Sequence, residues 1–178
     1  MLAINTAPHL HYMIEEQEVT IRPMSDMDED MEVNFFNNLS PTTKYFRFME
    51  GIRELSPAMV KQLCDIDGKY AMAFIATIRE PDGEKQIGVG RYSRGTYETD
   101  SEAGVEMALT VADDWQHKGI DKLIMKPLTE YAKNNGIKKL YTFEFAENAA
   151  MRHIAKELEM TAKADPLDAR LVTYSLEI

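Results

Sequence analysis

The chain has 178 residues with 44% apolar content, enough for one domain with a real core. Its 20 Lys and Arg against 30 Asp and Glu leave a net charge of −10, which argues against a nucleic-acid partner because phosphates need a basic face. A single cysteine, Cys64, excludes an internal disulfide; no Cys/His cluster has zinc spacing, and no segment reaches the ~20 apolar residues of a membrane span.

Residues 1–16 read as an N-terminal tail or loosely docked arm ahead of a single domain at 17–178. The arm carries His9 and His11, too few ligands for a metal site. It lacks the basic and apolar regions of a secretory leader, so a cytoplasmic protein is expected. "EVTIRP", Glu18 to Pro23, reads as a short strand stopped by proline. Ser25 then opens a helix with Asp28 as the capping-box acid, and Val33, Phe35, Phe36 and Leu39 give it an apolar side. Ser40-Pro41 and Ser56-Pro57 each pair a capping hydroxyl with proline at the first helical position, so two more short helices follow.

After the Asp67-Gly68 turn the pattern changes. Tyr70 to Ile78 is a continuous apolar run of strand length. Pro81 to Lys85 makes a hairpin turn, Gln86 to Arg94 returns, and a polar loop leads to a third strand at Glu102 to Val111. These three predict an antiparallel meander. Beyond Gly119, Ile120, Leu123, Ile124, Leu128 and Tyr131 recur at helical spacing, up to the Asn134-Asn135-Gly136 stop. Pro127 falls inside that helix and predicts a kink or a later start. Lys138 to Phe145 is a strand. Asn148 caps a helix with Met151, Ile154, Ala155 and Leu158 on one face, and "RLVTYSLEI" closes the chain as a strand. The order β-α-α-α-β-β-β-α-β-α-β is mixed α/β, with helices flanking a mostly antiparallel central sheet.

The stretch Gln116-His117-Lys118-Gly119-Ile120-Asp121-Lys122 joins a strand to a helix. A helix start bares four N–H groups and about half a positive charge, and a glycine turn before it lets a phosphate approach them. Lys118 and Lys122 add charge. An ordinary strand-to-helix connection would use the same residues.

The surrounding sequence resembles the GNAT superfamily of N-acetyltransferases. The family motif Gln/Arg-x-x-Gly-x-Gly/Ala is matched by Gln116 to Asp121. "GVEMALTVADDW" is similar to the family's fourth strand, and Asn135 to Met160 to its fifth strand and following helix. "LSPTTKYFRFM" resembles the front segment of GNAT domains of bacterial protein-lysine acetyltransferases. The resemblance implies a GNAT-like fold and acetyl-CoA, or another acyl-CoA, as donor, with no metal. It implies a diphosphate on the N–H groups from Gln116 to Lys122, including His117, Lys118, Gly119 and Asp121. It places the pantetheine arm beside the backbone of Leu109 to Val111 and gives Asn148 a contact to that arm, which its capping role does not prevent. An N–H near Leu109 would serve the oxyanion.

Transfer to an amine needs a base, because an amine of pKa near ~10.4 is mostly protonated at neutral pH. Glu106 is the candidate, a lone acid among Gly104, Ala108 and Thr110 on one strand face, and it matches the family's glutamate base. Glu144 is a second acid. Ala155 falls where many members carry the tyrosine that protonates the leaving thiolate, so no general acid is named.

Two departures stand out. Asp121 replaces the motif's last small residue; a carboxylate about 5 Å from a phosphate, at an effective dielectric of about 20, costs roughly 3 kcal/mol per unit charge, about a hundredfold in affinity. An Asp in the first turn that points to solvent instead stabilises the helix and leaves its N–H for the phosphate. Leu158-Glu159-Met160 alters the family's Leu-Gly-Phe. The acceptor is an amine on a protein lysine or a small molecule, with the front segment that includes Tyr45, Arg47 and Phe48 shaping its side of the site, although Phe46 and Phe48 read better as core packing. The alternatives are a weakened domain that senses acyl-CoA or binds a partner, and a homodimer built on the last strand or the arm.

Overall fold

The computed structural model describes residues 7–94 and 104–178. Eight strands form one sheet in the order β1-β2-β3-β4-β5-β6-β8-β7. They are β1 (Leu10–Ile14), β2 (Gln17–Pro23), β3 (Ala71–Glu80), β4 (Gly83–Ser93), β5 (Val105–Val111), β6 (Lys139–Phe145), β7 (Thr161–Ala164) and β8 (Leu171–Glu177). Five helices accompany them: α1 (Glu29–Asn38), α2 (Pro41–Phe48), α3 (Pro57–Cys64), α4 (Ile120–Asn134) and α5 (Ala149–Glu157). All neighbouring strands are antiparallel except β5 and β6. The expected mixed, mostly antiparallel sheet flanked by helices is therefore present.

Each helix starts where its chemistry dictates. Ser40 and Ser56 accept hydrogen bonds from Thr43 and Met59, with proline following each cap. Asp28 accepts from the Ser25 N–H at 2.8 Å, closing the expected capping box on a short 3-10 turn that leads into α1. One face of the sheet carries α4 and α5, and Phe74, Ile87, Met107, Ile120, Ile124 and Leu128 are sealed between them. The other face buries Phe35, Leu39 and Cys64 under α1 and α3, against Ala73, Ile75 and Val89.

Three expectations are corrected. The arm at 1–16 does not stay outside the sheet: Leu10–Ile14 is a strand, registered Leu10↔Ile21 to Ile14↔Gln17. Leu10, Tyr12 and Ile14 turn inward, and Glu15 and Glu16, at φ 47° and 67°, make the two-residue turn. Residues 1–6, and the Glu102 and Ala103 start expected for the third strand, lie outside the described residues. α4 starts at Ile120 and continues past the buried Pro127 to Asn134, so the later start does not occur. A further strand, β7, precedes the last one and is exposed along its whole length.

Candidate active site

β5 and β6 pair only at Val105↔Leu140 and Glu106↔Tyr141. Beyond these residues they part, and a cleft of about 620 Å3 opens between them. Its walls come from the second half of β5, from β6 at Thr142 to Glu144, from the starts of α4 and α5, and from α2. Parting strands leave backbone hydrogen-bonding groups along one edge of β5, the kind of edge to which an extended ligand can add.

The connection from β5 to α4 closes one end. His117 (φ 62°) and Gly119 (φ 79°) turn the chain sharply ahead of the helix. A Cβ on Gly119 would meet nothing within 4 Å, so the positive φ rather than crowding calls for glycine there. The first N–H groups of α4 lack intrahelical acceptors and present the positive end of the helix dipole. Gln116 is spent locally: its Nε2 donates to the Val111 carbonyl at 3.1 Å and to Thr43 at 3.4 Å.

Most of the residues singled out from the sequence line this cleft together: Glu106, Leu109, Val111, Gln116, His117, Gly119, Asp121, Lys122 and Asn148. Lys118 does not. Its ammonium pairs with Glu15 in the β1–β2 turn at 2.6 Å and sits 5.1 Å over the Trp115 ring. Lys122 faces the cleft but is paired with Glu157 at 2.7 Å. Asp121 is half-exposed on the cleft wall. Asn148 is buried; its Oδ1 caps α5 at the Met151 N–H (3.1 Å), and its Nδ2 donates to Glu144 at 3.1 Å.

Glu106 is solvent-exposed in the cleft, opposite Ser93 on β4 and Tyr141 on β6. Glu144 stands across the opening, held by Thr142 (3.0 Å) and Asn148. Burial lifts the Glu144 carboxyl above its ordinary range; the Thr142 and Asn148 donors and the Arg47 charge oppose this, while the Glu106 charge adds to it. Ala155 is 2% exposed in the core under α5, so it contributes no side chain to the cleft. Cys64 is buried under α1, and desolvation pushes its thiol up to about 11, away from nucleophilic use.

Sequence reasoning missed what joins α2 to the loop before α4. The Asp113 carboxylate accepts from the Ser40 N–H (2.9 Å), the Ser40 hydroxyl (2.7 Å) and the Thr43 hydroxyl (2.8 Å). Burial raises the Asp113 pKa, and these donors more than reverse it, leaving the carboxyl below its usual range. Ser40 was legible as a cap; its partner 73 residues away was not.

A family model described as an acetyltransferase (GNAT) domain matches residues 18–161. A Pseudomonas aeruginosa protein named as an acetyltransferase is 39% identical over 163 residues, covering 91% of this chain and 85% of that one. Acetyltransferase Pat of Mycolicibacterium smegmatis is 29% identical over 138 residues, covering 78% of this chain and 40% of that longer protein. The crystal structure of the GNAT domain of S. lividans PAT has a TM-score of 0.83 at 21% identity, covering 96% of this chain and 97% of that domain, a likeness of fold.

Proposed function

Because the chain belongs to the GNAT acetyltransferase domain family, we propose that it is an N-acyltransferase moving an acetyl or other acyl group from acyl-CoA to an amine in the cytoplasm. One observation carries this reading: the gap between β5 and β6 has bared helix N–H groups at one end and a solvent-exposed carboxylate, Glu106, on its wall. The residues present fit the donor. Open space lies before Gly119, the α4 start offers N–H groups and dipole to a diphosphate, and the free edge of β5 near Leu109 and Val111 suits an amide-bearing arm.

Acyl-CoA, when bound, supplies an activated thioester carbonyl. The chain's own residues do the rest. Glu106 takes a proton from the acceptor ammonium, directly or through a water, and frees the amine lone pair. A backbone N–H near Leu109 donates to the oxygen that gains charge in the tetrahedral state. The Asp113–Ser40–Thr43 contacts hold α2, and with it the acceptor wall, against the loop that grips the donor. The acceptor is a protein lysine or a small-molecule amine. Among the described residues no group of His, Cys, Asp or Glu gathers as a metal site, and no helix is long and apolar enough to cross a membrane.

A second reading is a weakened domain that senses acyl-CoA. Asp121 on the cleft wall favours it, as do the pairings of Lys118 and Lys122 with Glu15 and Glu157, which leave less positive charge for a phosphate. Acyl transfer from acetyl-CoA to a panel of amines decides between the two. Glu106→Gln should lower kcat/KM about a hundredfold, with the deficit shrinking as rising pH deprotonates the amine. Turnover equal to wild type at every pH removes Glu106 from the base role.

A further inference from the structure

Arg47 lies in the last turn of α2, half-buried on the cleft wall. Among the described residues its guanidinium donates no hydrogen bond and makes no ion pair; it lies over the face of Phe48, at 4.8 Å. The two other arginines drawn deep into the protein are held differently. Arg22 is forked onto Asp28 and also grips Glu84. Arg91 binds Glu32 and the Leu63 carbonyl.

The carboxylates that could serve Arg47 are otherwise engaged or out of reach. Glu32 is taken by Arg91 and Gln86. Glu144 is held by Thr142 and Asn148. Glu106 shares the cleft beyond ion-pairing distance. Desolvation, with repulsion from Arg91, lowers the Arg47 guanidinium to about 10, against the attraction of Glu32, Glu144 and Glu106. A guanidinium on the cleft wall with no acceptor from the described residues keeps its donors for a ligand, and its planar fork matches two oxygens of a carboxylate.

We infer that Arg47 is a specificity-determining residue that receives a carboxylate in the cleft. The identity of its source rests on the acyl-transfer reading above. Arg47 stands within the fields of both Glu106 and Glu144, where donor and acceptor would meet. The carboxylate therefore comes from one of two places: the far end of a dicarboxylic acyl chain, or an acceptor that bears a carboxylate near its amine. In either case Arg47 selects a carboxylate-bearing substrate over its uncharged counterpart.

Two pairs of probes test this. Succinyl-CoA against butyryl-CoA, with one fixed amine, reads the acyl arm. L-Lysine against cadaverine, with acetyl-CoA, reads the acceptor arm. Wild type should favour the carboxylate member in one arm by about tenfold to a hundredfold in kcat/KM, and Arg47→Gln should erase that preference. Arg47→Lys, which keeps the charge but not the fork, should retain part of it. Calorimetry with the same four compounds reads the selectivity as binding, so an enzyme that proves inactive still answers. Thermal melting confirms that the variants fold. Absence of a carboxylate preference in both arms, or a preference that survives in Arg47→Gln, overturns the inference. Selective binding without turnover leaves it standing and defeats the transferase reading instead.

Discussion

Arg22 donates to Asp28 at 2.7 and 2.9 Å and to Glu84 at 2.8 and 3.1 Å, joining β2, the turn before α1 and β4. Burial raises the Asp28 carboxyl, but Arg22 and the Ser25 donors outweigh it, so its net shift is downward. At Glu84 the Arg22 hydrogen bond is the largest effect, and the shift is again downward. Both folded pKa values lie below the unfolded ones of about 3.9 and 4.3. The stability they contribute is thus fully present above those values and drains away as pH falls through the folded ones. Glu144 has the opposite sign: raised in the fold, it favours the native state below its unfolded pKa and contributes less as pH climbs past its folded one. Urea unfolding should show a plateau from pH 7 to about 5 and a fall below about 4.5. Asp28→Asn should cost about 2 kcal/mol at pH 7 and flatten that fall, because Asp28 is 4% exposed and its loss leaves Arg22 with Glu84 as its one carboxylate. An unchanged acid slope in the variant would show that the cluster does not govern it.

Among the elements, the packing of α4 on β4 fixes where the helix start points. A Cβ on Gly90 would stand 2.5 Å from Ile124 Cγ2, and one on Gly88 would stand 2.9 Å from Ile124 Cδ1. Ile124 is 0% exposed and has no room to yield. Gly90→Ala should therefore destabilise by about 1–3 kcal/mol through overpacking, lowering the melting temperature by roughly 3–10 °C. A melting temperature equal to wild type would mean that α4 can shift freely, and that its N–H groups are not held in register with β5. The helices were legible in the sequence because their caps are local: Ser25, Ser40, Ser56 and Asn148 each sit next to the run they start. β1 was hidden because Glu15-Glu16 is not a recognised turn pair, although both residues take left-handed φ. β7 was hidden because Thr161–Ala164 is a four-residue exposed edge strand whose apolar positions are both alanine, too short and too small to signal a strand. The role of Gly88 and Gly90 became visible only when the helix they admit was in place.

Across the whole molecule, the fold and the α4 end of the cleft were readable from contiguous residues, because a strand, a glycine turn and a helix start form one local motif from Val111 to Lys122. The α2 wall of the cleft was only partly readable. Arg47 and the Asp113–Ser40 contact draw their meaning from neighbours on separate elements, and no spacing rule announces them. The net charge of −10 suits a cationic acceptor and opposes an anionic donor, so a local positive end at α4 must prevail over the field of the whole chain. That makes binding of acyl-CoA the most exposed part of the account. Calorimetry with acetyl-CoA on wild type and Asp121→Gly tests it directly. Wild type should bind in the micromolar range, and Asp121→Gly should bind about tenfold to a hundredfold tighter as one negative charge is removed from the cleft wall. No heat of binding from either protein at millimolar acetyl-CoA would contradict the claim that the start of α4 holds a diphosphate.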